Sequence, residues 1–203
     1  MKDINDHPVR PFNSAMEAYW ASKALSRMAI RNYISQQSPG CFDVITLLPS
    51  VVIGPDERAT TTTALVQGTR AAVLAPVLTS SQNSPFPYVG TPVHVADVAL
   101  IHIDAVDNTR IPGNSEYILS SDTPEGIHWD TVARDVAHKH FPEDVGENRI
   151  LPLQGSLATI KWRLDAMSTE QAFGWKFTGF EDTMRQLIEQ YVELQKKLRD
   201  RTT

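Results

Sequence analysis

One cysteine, Cys41, occurs in 203 residues, so no internal disulfide can staple the chain. No apolar run reaches the roughly 18 residues of a membrane-spanning helix, and no basic-then-apolar leader reads as an export signal. Nineteen lysines and arginines stand against 24 acidic residues, a formal net charge of −5. The basic side chains are scattered and do not form the stripe that a nucleic-acid backbone requires. The expectations are therefore no nucleic-acid partner, no membrane partner and a reducing, cytoplasmic setting. Glycine is thinly spread. The closest pair, Gly174 and Gly179, lies five residues apart, so there is no glycine-rich turn of the kind that lets a backbone close around a phosphate.

What is present is an ordinary globular composition. With 41% apolar residues, a chain of this length can bury one sizeable core and a small second lobe. No internal repeat is visible. A helix is expected over 14–37, with Ser14 and Glu17 spaced as a capping box and Pro39-Gly40 as the stop. Ala18, Ala21, Leu25, Met28, Ala29 and Tyr33 form one apolar stripe on it. Tyr19, Lys23 and Ser26 fall on the neighbouring face. Tyr19 and Lys23 are four apart, so a phenol and an ammonium share that face and can address one atom. Alone this pair is weak evidence, because half-buried tyrosines and solvated lysines are common.

The segment after the helix supplies context. Phe42 to Leu48 is apolar on both faces beyond Asp43, as in a strand buried inside a parallel sheet. It runs into Pro49-Ser50-Val51-Val52-Ile53-Gly54-Pro55, which reads as a short apolar loop at the carboxyl end of that strand, where open α/β sheets bind ligands. A helix is expected over 61–75, and a polar, proline-rich excursion suited to a substrate loop or lid over 79–92. Val93-His94-Val95-Ala96-Asp97-Val98-Ala99 leads into an apolar helix reaching about residue 106, and 116–120 reads as a strand. Trp129, Val132, Ala133 and Val136 have helical spacing, as do Met184, Leu187, Ile188, Tyr191 and Leu194.

Three of these segments carry a resemblance. The Tyr19-x-x-x-Lys23 pair, the turn at 49–55 and the 93–99 segment, in this order and at these separations, resemble the extended short-chain dehydrogenase/reductases, the NAD-dependent epimerase/dehydratase superfamily. The branch most similar is that of dihydroflavonol reductases, cinnamoyl-CoA reductases and fungal carbonyl reductases, whose C-terminal lobe also resembles Phe173-Gly174-Trp175-Lys176 with the amphipathic helix after it. The resemblance implies an α/β chain: an incomplete NAD(P)-binding Rossmann-type fold, its N-terminal βαβ units missing, plus a small α/β substrate-binding lobe. Residues 1–60 would be the C-terminal remnant of the dinucleotide-binding domain. Residues 61–203 would be mostly the substrate lobe, with 93–120 returning to the core sheet.

The implied activity is NAD(P)H-dependent reduction of a ketone or aldehyde, a small-molecule carbonyl substrate. NADP is the implied cofactor, with NAD as the alternative. Tyr19 would give a proton to the carbonyl oxygen as hydride arrives; Lys23, a cation beside the phenol, would favour the phenolate and hydrogen-bond the nicotinamide ribose. Pro49, Ser50, Val51 and Val52 would line the nicotinamide. His94 and Asp97 are expected to cap and stabilise a helix start and are given no chemical role. His138 and His140 sit two apart and do not share a helix face, so no metal site is expected. Cys41 is expected to be a small apolar residue at a strand start.

The sequence departs from the family in two places. Only 18 residues precede Tyr19, whereas in the family a glycine-rich phosphate loop and several strands do. The hydroxyl that polarises the carbonyl should also lie upstream, and Ser14 is better explained as the helix cap. Three readings follow: a reductase in truncated form, a remnant without redox activity, or a non-catalytic partner that docks on a full-length relative through the helix of Tyr19; the partners expected besides substrate are a second copy, as a homodimer, or that relative. Each predicts exposed apolar surface, an open strand edge and marginal stability.

Overall fold

Ser14 begins the first helix because its hydroxyl accepts the Glu17 N–H at 3.1 Å, while the Glu17 carboxylate reaches back to the Asn13 N–H at 2.7 Å. These bonds satisfy amide donors that a helix start leaves without partners. Helix α1 then runs over Ala15–Gln36. The computed structural model describes residues 8, 10–36 and 42–202; Pro39, Gly40 and Cys41, for which a helix stop and a strand start are expected, lie outside the described residues.

The chain forms two units, one of Met1–Ile45 with Gly113–Ser115, the other of Thr46–Pro112 with Glu116–Thr203. In the first, α1 has a single buried residue, Ala21; Leu25 and Met28 of the expected stripe are half-buried, and Ala29 and Tyr33 are exposed. Met16, Tyr19, Trp20 and Ile30 are also exposed. The strand expected over 42–48 starts later. Asn114 intervenes: its amide oxygen accepts the Val44 N–H at 3.0 Å and its amide nitrogen donates to Asp43 at 2.7 Å. A side chain thus takes the Val44 N–H that a ladder would use.

The second unit holds three parallel strand pairs. β1 (Thr46–Pro49) pairs with β5 (Glu116–Leu119), β2 (Val51–Ile53) with β4 (Pro92–His94), and β3 (Tyr88–Val89) with β6 (Thr159–Ile160). The segment expected as a loop over 49–55 is therefore mostly strand. Ser50 is the point of transfer: its N–H donates to Leu119 O, and the next, from Val51, donates to Thr91 O, both at 3.1 Å. Among the described residues β1 has one strand neighbour, so its other edge is open.

The helix expected over 61–75 is broken. α2 (Thr62–Leu65) is capped by the Thr61 hydroxyl, which accepts the Ala64 N–H, and α3 (Gly68–Leu74) follows an extended Gln67. Gly68, at φ +54°, permits the restart that a side chain would oppose. Carbonyls freed by the break are taken by side chains, Thr63 O by Gln67 and Leu65 O by Arg70. The excursion over 79–92 is partly tied down, since β3 within it pairs with β6.

The core lies where α5 (Trp129–His140) meets α7 (Phe180–Thr202) and α3. Trp129 and Phe180 meet edge to face, ring centroids 5.4 Å apart, with Leu187 and Ile188 beside them and all four essentially without solvent contact. A second aromatic group joins Tyr117, Phe173, Trp175 and Phe177 after α6 (Met167–Phe173), where Gly174 closes the helix in the left-handed conformation. The Trp175 indole donates to Asp104 at the end of α4 (Val95–Asp104). No buried side-chain polar atom among the described residues lacks a partner.

Candidate active site

Tyr19 and Lys23 belong to the first unit. The helix places them one turn apart, and Lys23 Nζ lies over the Tyr19 ring, 5.3 Å from its centroid. The tyrosine is 55% exposed, so its hydroxyl is open to an incoming molecule. Ser22, inside the motif, turns its hydroxyl to Tyr19 O at 2.7 Å and is occupied by the helix itself.

Pro49, Ser50, Val51 and Val52 belong to the second unit. Their backbone groups are not equally available. The Ser50 and Val51 N–H groups are already donated across the ladders. In a parallel ladder alternate residues face a given neighbour. Pro49, next to Ser50, is therefore turned from β5, and Val52, next to Val51, is turned from β4. A proline in β1 costs no ladder bond at that position. The Ser50 hydroxyl is paired with the hydroxyl of Thr91, which has no solvent exposure.

At the carboxyl end of β2 a cleft of about 350 Å³ opens against Gly54, Gly68, Thr69, Arg70 and Val95. Gly54 sits at φ +140°, where a side chain is strained, and a Cβ there would stand 2.8 Å from Val95 Cγ1. This is why the turn carries glycine before proline. Asp56 anchors the cleft's rim: its carboxylate binds Arg58 at 3.0 Å and Arg70 at 2.8 Å. The hydrogen bonds from Arg58, above all, hold that carboxyl down to about 2. Gln190 of α7 clamps the Asp56 backbone at both its N–H and its carbonyl.

His94 is the N-cap of α4. Its Nδ1 accepts the Ala96 N–H at 3.0 Å, which leaves the ring proton on Nε2, 3.3 Å from Gln186 Oε1. Asp97 accepts both the N–H and the hydroxyl of Thr178. His94 thus caps the helix start as expected, whereas Asp97 does not cap it and instead ties α4 to the segment before α7. His140 bonds Glu181 at 2.8 Å, and among the described residues no group of three His, Cys, Asp or Glu could hold a metal ion. Sequence reasoning missed Thr91, which has no periodic signal because it acts by meeting Ser50, 41 positions away.

No protein-family model matches the chain. It is 31% identical over 192 residues to ketoreductase CTB6 of Cercospora nicotianae, covering 92% of this chain and 52% of that protein. It is 25% identical over 186 residues to the NAD-dependent epimerase/dehydratase ALT6 of Alternaria alternata. The homologues it matches are ketoreductases and NAD-dependent epimerase/dehydratases. It spans about half the length of the relatives it matches. Among solved structures, Gre2 of Candida albicans in complex with NADPH superposes with a TM-score of 0.67 at 20% identity, covering 90% of this chain and 53% of that chain. Yeast methylglyoxal/isovaleraldehyde reductase Gre2, complexed with NADPH, gives 0.66 at 18%. At such identities the likeness concerns the fold alone: a mixed α/β chain with part of a Rossmann-type architecture and small sheets.

Proposed function

We propose that this chain carries the proton-donating and nicotinamide-facing residues of an NAD(P)H-dependent reductase of ketones or aldehydes. The observation that carries the reading is the Tyr19-Lys23 pair, held on one face of α1 with its phenol open to solvent. What a bound nicotinamide supplies is a hydride for the carbonyl carbon. Tyr19 then gives its phenolic proton to the carbonyl oxygen, and the Lys23 cation offsets the negative charge left on the phenolate. A carboxamide needs both a donor and an acceptor; the Pro49 carbonyl and the backbone groups of Val52, turned from the ladders, meet that need. The apolar side chains of Val51 and Val52 would lie against one ring face. Residues 1–60 would be the remnant of the dinucleotide domain and 61–203 mostly the substrate lobe, with 93–120 in the core sheet. NADP is the favoured cofactor, with NAD as the alternative, and a cytoplasmic setting fits the composition.

The test is oxidation of NADPH by the purified chain with a panel of small ketones and aldehydes. Tyr19→Phe should lower kcat/KM by about 10²–10⁴-fold, the usual range for loss of a positioned acid, and leave the melting temperature unchanged. Turnover that survives Tyr19→Phe would sink the assignment. A second reading, a non-catalytic partner of a full-length reductase, is favoured by the exposed Met16, Trp20, Ile30 and Tyr33 on α1. No turnover, together with co-purification alongside a full-length relative, would select it.

A further inference from the structure

A second cleft, of about 530 Å³, opens in the larger unit and shares only Gln67 with the cleft at the end of β2. None of its lining residues is acidic, yet two are arginines, Arg149 and Arg199, in a chain of formal net charge −5. Its apolar surface comes from Val66, Leu78, Ile150 and Pro152.

Two separate elements deliver the charge. On α7, Tyr191, Gln195 and Arg199 repeat every four residues and so form one stripe facing the cleft. Gln195 donates to the Tyr191 hydroxyl at 3.2 Å, which leaves the phenolic proton to be donated onward. Burial pushes that phenol's titration up, so the proton is retained at neutral pH. Arg149 comes from a tight reversal in which its N–H donates to Gly146 O and the Gly146 N–H donates to Leu151 O. Gly146 stands at φ +146° to make that reversal. The neighbouring carboxylate, Asp144, is engaged by Lys196 at 3.0 Å. Among the described residues the Arg149 guanidinium makes no hydrogen bond and no ion pair.

We infer that this cleft is a binding site for an amphipathic organic anion, whose carboxylate or phosphate head is held by Arg149 and Arg199 while its apolar body lies on Val66, Leu78 and Ile150. Guanidinium forks bind either head bidentately, and the apolar floor favours a ligand with a hydrocarbon body over a bare ion. The inference uses none of the residues assigned to carbonyl reduction and stands apart from that reading.

Calorimetric titration of the full chain with octanoate, octyl phosphate and octanol tests it. The expected result is saturable binding of octanoate or octyl phosphate, weakening as salt is added; the tighter of the two identifies the head group. Arg149→Gln and Arg199→Gln should each weaken it about tenfold or more, the scale of a lost charge-assisted hydrogen bond. Arg163→Gln, outside the cleft, should leave it unchanged. Both cleft arginines are exposed, so circular dichroism should show the variants folded; the salt dependence of the unaltered chain gives a second readout. The proposal is overturned by absence of saturable binding of both anions, by octanol binding as tightly as they do, or by binding that persists in the double variant.

Discussion

The two units of this chain treat their apolar residues in opposite ways. In the first, α1 runs 22 residues with one buried side chain, Ala21. In the second, α5 and α7 close on Trp129, Phe180, Leu187 and Ile188, none more than 1% exposed. Helices draw most of their stability from a packed face and little from propensity. The unit that carries Tyr19 and Lys23 therefore has little packed surface to hold it, while the paired strands of the other rest beside a dense core.

The strongest way to break this comparison is to hollow the core. Trp129→Ala should cost about 3–5 kcal/mol, the usual range for an aromatic truncated in a closed site, read from the urea midpoint. Leu25→Ala on α1, half-buried, should cost about 1 kcal/mol or less. Equal costs would show α1 to be as well supported as α5. Next in size is Gly54→Ala, which forces a side chain to φ +140° against Val95; about 1–3 kcal/mol is expected from the strain. His94→Ala removes the cap of α4, at about 1 kcal/mol. Amide exchange sharpens the contrast directly: α1 should exchange roughly tenfold or more faster than α5, since exchange follows local opening.

The smallest effect concerns acid. Asp56, held down to about 2 by Arg58 first and Arg70 next, has a folded-state pKa below its unfolded value of roughly 4. Its contribution is complete above roughly pH 4 and lost as pH falls toward 2. Asp56→Asn should lower stability near neutrality and flatten the fall between about pH 4 and 2, as followed by urea midpoints across that range.

Much of this was legible beforehand, for identifiable reasons. Ser14 and Glu17 marked a helix start because capping is a local exchange of hydrogen bonds, and the bonds form as the spacing implies, shifted by one residue at Asn13. His94 was legible as a helix cap for the same reason, whereas Asp97 bonds Thr178, 81 positions on, which no local spacing reveals. The strand at 42–48 was misplaced because Asn114, some 70 positions on, captures Val44 and Asp43. The helix at 61–75 was read as continuous because its apolar pattern persists, whereas Gln67 and Gly68 break its backbone. The turn at 49–55 was read as loop because two prolines and a glycine signal one. Proline tolerates an edge position of a strand, and nothing local reveals which edge is empty.

What the sequence alone determined is the chemistry available: a phenol and an ammonium one helical turn apart, a proline-bounded apolar segment after them, and no glycine loop for a phosphate. Those properties depend on spacing of a few residues, which a helix or turn converts directly into geometry. Tertiary structure decided which groups remain free to act. Ser50 and Val51 have their N–H groups claimed by Leu119 and Thr91, while Pro49 and Val52 are turned from the ladders. Arg149 and Arg199 are 50 positions apart yet line one cleft. Availability depends on partners that only long-range pairing and packing bring within reach.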